Sequence, residues 1–178
     1  MGFAWKHFKT ITYHKILVAR GCFKIGLYKQ GILHDMSKYS PEEFWVGARY
    51  YQGTRSPNDA EREAKGYSAA WLHHKGRNKH HYEYWIDYSK KAGPGKMLPV
   101  AMPDRYIAEM VMDRIAACKV YKGDAYTDSS PLEYYERGCQ NHLMHEYTRQ
   151  TLEKILRMLA AEGEEKTFRY IRQTLVHK

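Results

Sequence analysis

The chain has 178 residues, of which 43% are hydrophobic and 14% aromatic. This length suits one domain, and the apolar share argues against wholesale disorder. The three cysteines, Cys22, Cys118 and Cys139, lie far apart and form no CxxC pair, which argues against a disulfide framework and a cysteine-bound zinc. The net charge of +9 favours anionic partners such as phosphorylated metabolites or nucleic acid, although dispersed Lys and Arg residues also suit an ordinary solvated surface.

The sequence shows no pattern typical of a membrane or secretory segment. No run approaches roughly 18 consecutive apolar residues, and the first fifteen residues contain no long apolar stretch before a small-residue cleavage site. We therefore expect no membrane span and a cytoplasmic location.

Helical periodicity dominates and predicts an all-α, single-domain helical bundle over residues 1–178. The first helix is predicted from about Ala4 to Tyr28, with Gly21 and Gly26 weakening or bending it. Its apolar stripe follows 3- and 4-residue steps through Ile11, His14, Val18, Cys22 and Ile25.

The next helix is predicted to begin at a capping motif. Ser40 can cap it, Pro41 suits the first helical position, and Glu43 completes a capping box. The helix should run to about Tyr51. Residues 53–58 then form a predicted loop that leads into a helix over residues 59–74.

The clearest break in the chain is Ala92-Gly93-Pro94-Gly95. A well-patterned helix is predicted after Pro103, from Asp104 to about residue 121. Residues 123–130 form a predicted loop, Pro131 opens a short helix, and one or two helices complete the C-terminus. No segment shows convincing strand alternation.

Ten histidines are unevenly distributed along the chain. His34 is followed directly by Asp35, and two further pairs stand at residues 73–74 and 80–81. His14 lies one predicted helix upstream, and Asp113 lies inside the helix that follows Pro103. Imidazole and carboxylate are the ligands of catalytic zinc, iron, manganese, cobalt and nickel, and carboxylates can bridge two metals. The sequence therefore predicts a divalent-metal site.

Each of these residues also has an ordinary structural explanation. His14 on an apolar stripe suits a core histidine, and Asp35 can cap a helix end. The stretch from 73 to 81 suits a basic loop, or it brings His73 near His80, or His74 near His81, through a shared helix face or a turn. Asp113 can pair with Arg114 or a nearby Lys.

Together, these motifs resemble the HD superfamily of metal-dependent phosphohydrolases. The shared order is His14, His34-Asp35, His73/His74, His80/His81 and Asp113. The doublet stands in Ile32-Leu33-His34-Asp35-Met36-Ser37-Lys38, which is similar to the superfamily's His-Asp-x-x-Lys. The stretch from residue 73 to 85, ending Tyr82-Glu83-Tyr84-Trp85, looks closest to functionally uncharacterised bacterial and phage members.

The resemblance implies a site for one or two divalent ions, drawn from Mn, Fe, Co, Ni, Zn and Mg. The first ion would be held by His14, His34, Asp35 and Asp113. Asp35 would bridge to the second ion, which His74 and either His80 or His81 would complete. Lys38 would contact a substrate phosphate, and Arg77 would add a bidentate grip.

The leading hypothesis is a phosphohydrolase that cleaves a nucleotide or another phosphate ester with metal-activated water. Asp35, Lys38 and Glu109 would be its catalytic residues, with Glu109 acting as a hydrogen-bond acceptor behind the ligands or as a base. A di-iron oxygenase on the same scaffold is one alternative.

A nucleic-acid-binding module without catalysis is the other alternative. Its bases would stack on aromatic residues beside basic ones, namely Tyr82, Tyr84 and Trp85 beside Lys75, Arg77 and Lys79. The same rings also suit the core or a half-buried surface.

Overall fold

The computed structural model describes residues 2–90, 93 and 95–177. Its α-helices are α1 Phe3–Lys24, α2 Tyr28–Leu33, α3 Pro41–Arg49, α4 Pro57–Lys65, α5 Ala69–Lys75, α6 Asp104–Lys122, α7 Ser130–Glu136 and α8 Glu146–Ile171. Short 3-10 turns lie at Met36–Tyr39, Tyr82–Trp85, Gly123–Ala125 and Cys139–Asn141, and a π-helical turn at Arg172–Val176 ends the described chain. The predicted all-α fold is confirmed.

The core lies where α1 and α8 pack against α6. The predicted stripe of α1 is buried, and α6 is buried on most of its surface because it has neighbours on several sides. α8 contributes the fully buried residues Leu152, Ile155, Leu156 and Leu159. Burying each such side chain contributes roughly 1.5–3 kcal/mol, so this packing holds α1 and α6 in place.

The chain reverses at Gly26, and the predicted single helix through Tyr28 is therefore wrong. Gly26 has a φ of 89°, which a glycine adopts without steric cost, so α1 ends at Lys24 and α2 begins at Tyr28. α2 then packs closely on α1. A Cβ added at Gly31 would lie 3.0 Å from Cβ of Cys22, so the absence of a side chain permits the approach that delivers His34.

The predicted helix from 59 to 74 is two helices, separated at Gly66, whose φ is 81°. Ser56 caps α4, which starts at Pro57 and not at Asp59, and the hydroxyl of Ser68 accepts from the amide of Trp71 to cap α5.

Helix α3 begins at Pro41 as predicted, but the capping box is wrong. The hydroxyl of Ser40 makes no capping hydrogen bond, and α3 ends at Arg49, not at about Tyr51. The carboxylate of Glu43 instead turns toward α5, where it contacts two histidines.

The hairpin of β1 Ile86–Tyr88 and β2 Met97–Pro99 was not predicted. Its strands are antiparallel, with Asp87 opposite Leu98. Each strand has three residues, which is too few to show alternation. Of the predicted break, Ala92 and Pro94 lie outside the described residues.

The predicted helices near Asp104 and Pro131 are confirmed as α6 and α7. The C-terminal helix is interrupted at Gly163, which has a φ of 79°. No helix in the described ranges combines the length and apolar character that crossing a membrane requires.

Candidate metal centre

Asp35 occupies the middle of a buried cluster of imidazoles and is 1% exposed. Its Oδ2 lies 3.3 Å from Nε2 of His34 and 3.8 Å from Nε2 of His14. Its Oδ1 lies 3.2 Å from Nε2 of His74 and 3.4 Å from Nε2 of His80. Each oxygen of this one carboxylate therefore faces a different pair of histidines.

The first group of potential ligands consists of His14, His34, Asp35 and Asp113, with one ligand atom from each lying within 4.8 Å of the others. Oδ1 of Asp113 lies 2.9 Å from Nε2 of His14 and 3.5 Å from Nε2 of His34. A cation about 2.1 Å from each ligand sets neighbouring ligand atoms roughly 3.0–3.4 Å apart. The four spacings given for this group run from 2.9 to 3.8 Å and so bracket that range.

The second group consists of Asp35, His74, His80 and His81, again within 4.8 Å of one another. Nε2 of His74 lies 2.9 Å from Nε2 of His81. The choices left open by the sequence are thereby resolved geometrically: His74 lies in the group and His73 does not, while His80 and His81 both do.

Five parts of the chain deliver these side chains. His14 comes from the buried stripe of α1, His74 from the last turn of α5 and Asp113 from α6. His80 and His81 follow α5 in irregular backbone. Asp35 follows α2 with a φ of 52°, the left-handed region that Asp tolerates better than most residues.

Glu109 lies behind both groups. Its Oε1 is 2.9 Å from Nδ1 of His34 and 3.3 Å from Nδ1 of His80. Burial raises the pKa of Glu109, but hydrogen bonds from these two histidines outweigh it and bring the pKa to about 2. An ionised carboxylate only accepts, so the imidazoles donate from Nδ1 and leave Nε2 free to bind a cation.

Glu43 serves His74 in the same way and was missed as a site residue. Its Oε2 lies 2.8 Å from Nδ1 of His74, and its Oε1 lies 2.6 Å from Nδ1 of His73. No sequence signal separated this role from helix capping. The structure shows that the face of α3 that carries Glu43 is closely packed, since a Cβ at Gly47, one turn later, would lie 2.4 Å from Nε2 of His7.

Lys38 forms an ion pair with the central carboxylate: its Nζ lies 2.6 Å from Oδ2 of Asp35. Burial lowers the pKa of Lys38, but the carboxylates of Asp35 and Asp113 outweigh it and raise the pKa. The ammonium group of Lys38 is therefore paired inside the cluster and not with solvent alone. Arg77 lies outside the cluster, because it is exposed and its guanidinium donates to the backbone oxygen of His73 across 3.3 Å.

The buried atoms of the cluster fit a cation. Apart from the ion pair with Lys38, both oxygens of Asp35 lack a hydrogen-bond partner among the described residues, as do Nε2 of His34 and Nε2 of His80. Unpartnered buried polar atoms are costly. These four atoms point at the two ligand groups, which could hold a metal ion.

The charges of the cluster agree with that fit. Burial raises the pKa of Asp35, but His34, Lys38 and His74 hold it well below its usual range. Burial likewise raises the pKa of Asp113, and hydrogen bonds from His14 and His34 hold it well below its usual range. Asp113 thus pairs with histidines and not with Arg114. Both carboxylates are anionic at neutral pH, as metal ligands must be.

The aromatic residues considered for nucleic-acid stacking are largely held by the protein. Tyr82 and Trp85 pack against the core, and the indole N–H of Trp85 donates to the backbone oxygen of Lys79 across 2.8 Å. Tyr84 is 37% exposed, with Nζ of Lys79 over its ring. These three aromatic residues are therefore best described as part of a half-buried surface, which was the simpler explanation considered from the sequence.

Comparison with known proteins gives one match. A family model described as a family of unknown function (DUF5662) matches residues 3–158, a stretch that contains every residue of the two ligand groups together with Glu43 and Glu109. No curated protein and no solved structure matches the chain.

Proposed function

The chain belongs to DUF5662, a family of unknown function, and we propose that it is a metal-dependent phosphohydrolase of the HD type. The observation that carries the proposal is Asp35, whose two oxygens face two separate groups of imidazoles. One carboxylate shared between two cation positions is a common arrangement in enzymes that hydrolyse phosphate esters. The ligand order along the chain supports the same class.

Two divalent cations would be bound by the two groups, the first by His14, His34, Asp35 and Asp113, and the second by Asp35, His74, His80 and His81. When bound, such ions supply Lewis acidity, which lowers the pKa of water and offsets the charge that develops on a phosphate. The imidazole-rich ligand set favours Mn, Fe, Co, Ni or Zn over Mg.

The chain's own residues prepare the site for an anion. Lys38 is protonated at neutral pH and lies on the accessible side of the cluster, since its side chain is 28% exposed while that of Asp35 is 2% exposed. The ammonium is a compact charge that binds phosphate oxygens. A nucleotide or another phosphate ester would therefore enter beside Lys38 and Asp113, whose side chain is 16% exposed.

Behind the ligands, two carboxylates keep the rings in place. Glu109 orients His34 and His80, and Glu43 orients His74. Such partners fix which ring nitrogen carries the proton and thereby keep the other nitrogen available. In this role Glu109 contacts the ligands and not the substrate.

The test is metal analysis of protein purified without a His tag, followed by a screen of phosphate esters and nucleotides. We expect about two metal ions per chain, one for each ligand group. We also expect the protein to release phosphate, and His34→Ala should abolish this activity. His177→Ala, outside both ligand groups, is the control and should keep activity. Substoichiometric metal together with activity that survives His34→Ala would reject the proposal.

Two measurements separate the alternative functions. A Mössbauer spectrum of a di-iron centre, with oxygen consumption and no phosphate release, would replace hydrolysis by an oxygenase reaction. Nucleic-acid binding that falls steeply with salt and is indifferent to chelator would indicate a binding module.

A further inference from the structure

Arg114 and His142 pack on the ring of Tyr135, which belongs to neither ligand group, and Arg149 stands one turn from the residue that Tyr135 hydrogen-bonds. Arg114 follows Asp113 directly, but its guanidinium carbon lies 5.6 Å from the ring centre of Tyr135 on α7. The imidazole of His142 lies 5.8 Å from the same ring and 5.0 Å from the ring of Tyr82. Tyr135 is thus the common contact of an arginine and a histidine.

Arg149, in the first turn of α8, is the third member. The hydroxyl of Tyr135 donates to Oε1 of Glu153 across 2.9 Å, and Glu153 stands one turn after Arg149 on α8. Burial lowers the pKa of His142, and the positive charges of Arg114 and Arg149 lower it further. The charges of both guanidinium groups thus act on this one imidazole.

Each of these three side chains has one nitrogen without an acceptor. Nε of Arg114, Nε of Arg149 and Nδ1 of His142 are buried and make no hydrogen bond within the part of the chain that the structure describes, although the Arg149 side chain as a whole is 36% exposed. An unsatisfied buried donor is costly, because it has given up water without gaining an acceptor. The contrast is Arg55, whose guanidinium donates to both oxygens of Glu63 across 2.5 Å each.

Carboxylates nearby do not compensate for this deficit. Glu146 lies 3.7 Å from Nε of Arg149, beyond hydrogen-bond distance, and its side chain is 68% exposed. Among the described residues, Arg114 has no carboxylate within ion-pair distance. Its charge lowers the pKa of Glu83, but burial of Glu83 outweighs this effect and raises that pKa. Glu153 accepts from Tyr135, and no ion pair among the described residues joins it to Arg114 or Arg149. The group of Arg114, His142 and Arg149 therefore keeps buried nitrogen atoms without acceptors.

We propose that Arg114, His142 and Arg149 form a binding site for a phosphate-class oxyanion, separate from the metal centre. Two guanidinium groups offer the fork of N–H donors that matches phosphate oxygens, and His142 adds a third donor. Tyr82 and Tyr135 wall the site. The inference does not depend on hydrolysis, because it uses none of the metal ligands.

The site nevertheless adjoins the metal centre along the chain. Arg114 follows Asp113 of the first ligand group, and Tyr82 follows His81 of the second. An anion bound here would contact residues next in sequence to both groups.

The test is calorimetric titration of inorganic phosphate into the full chain after treatment with chelator. We expect the wild type to bind one phosphate, with affinity at least about tenfold weaker in Arg114→Gln and in Arg149→Gln, because each loses charge-assisted hydrogen bonds. Arg157→Gln is the matched control: Arg157 lies on α8 but its side chain is 65% exposed, and its removal should leave binding unchanged. Circular dichroism checks that each variant is folded. If Arg114→Gln does not fold, Arg149→Gln still tests the inference.

Absence of phosphate binding to the chelator-treated wild type would overturn the inference, as would unchanged binding in both arginine variants. Asp35→Asn separates the two sites, since it should lose metal and activity but keep phosphate affinity. Loss of phosphate binding in Asp35→Asn, with retention in the arginine variants, would place the anion at the metal centre. A parallel titration with a nucleoside monophosphate then identifies the ligand. If the nucleotide binds more tightly than phosphate and depends on the same residues, the ligand is an organic phosphate. If the two bind equally, the ligand is the free ion.

Discussion

Oε2 of Glu43 accepts a hydrogen bond from Nδ1 of His74 across 2.8 Å, and this contact turns Nε2 of the same ring toward Oδ1 of Asp35. Replacing Glu43 by Gln keeps its size but removes the charge that orients the ring. We expect Glu43→Gln to weaken the second metal by about 10–100-fold and to leave the first in place. Elemental analysis after dialysis should show one ion lost per chain.

The control for that experiment is the neighbouring Glu42→Gln, because Glu42 is exposed and contacts no residue of the ligand groups. Loss of both metals, or of neither, in Glu43→Gln would contradict the role assigned to this carboxylate.

The shared carboxylate predicts a difference between two aspartates. Asp35→Asn should lose both metals, since each oxygen of Asp35 faces one group. Asp113→Asn should lose the first metal alone, since within the described part of the chain Asp113 belongs to the first group and not to the second. Titration with Co²⁺ followed by visible absorption would measure the number of sites. Equal stoichiometry in the two variants would contradict the bridging arrangement.

Lys38→Met should separate metal binding from turnover. The metals do not need the ammonium group, whereas a bound phosphate ester does, so we expect full metal content and a loss of activity on the order of 10²–10³-fold. The measurements are elemental analysis and kcat/KM. Lys75→Met, a basic residue outside both ligand groups, is the control; an equal effect there would show that general charge and not position matters.

Stability should fall on acidification because of His7. Burial, assisted by the charge of Lys38, lowers the pKa of His7 from 6.5 to about 4. Between these two values the unfolded chain binds a proton that the folded chain refuses, so the free energy of unfolding decreases as the pH falls through this window. Above pH 6.5 and below pH 4 this contribution is flat.

The measurement is thermal unfolding of chelator-treated protein at pH 7 and pH 5. His7→Gln should show a smaller decrease in Tm between the two conditions than the wild type, and the other histidines are common to both proteins. An identical decrease would show that His7 titrates normally in the folded chain.

The crossing of α1 and α2 should not tolerate a methyl group. A Cβ at Gly31 would lie 3.0 Å from Cε1 of Phe23 and 3.2 Å from the backbone Cα of Ala19. Because backbone cannot move aside cheaply, Gly31→Ala should cost about 1–3 kcal/mol in urea unfolding, despite alanine's better helix propensity. Gly76→Ala is the control, since its nearest contact would be an ordinary 3.4 Å.

Much of the ligand cluster could be predicted from residue types together with the resemblance to HD-type phosphohydrolases. Histidine and aspartate at His14, His34-Asp35 and Asp113 indicated one site, and the structure brings them together. The resemblance to phosphohydrolases and the reaction itself stay predictions. The sequence succeeds for these four because His14 and Asp113 stand on predicted helices and His34-Asp35 directly follow one.

The remainder depends on contacts between segments. Helical spacing could not show that the adjacent residues His80 and His81 both reach the cluster, because they lie in irregular backbone. Glu43 fitted a capping motif equally well, and only the packing of α3 on α5 decides its partner. The sequence could not show that the helix breaks at Gly66, since a 3.6-residue pattern of side chains does not report the backbone angle φ.

The ion pair between Lys38 and Asp35 has a consequence for how the protein matures. A buried carboxylate without any counter-charge would oppose folding, but this chain carries its own cation to that position. If the proposed ions bind, the polypeptide can therefore finish folding while empty and acquire them afterwards. Loading would then exchange an internal counter-ion for an external one, and the ammonium group set free would become available to whatever enters next.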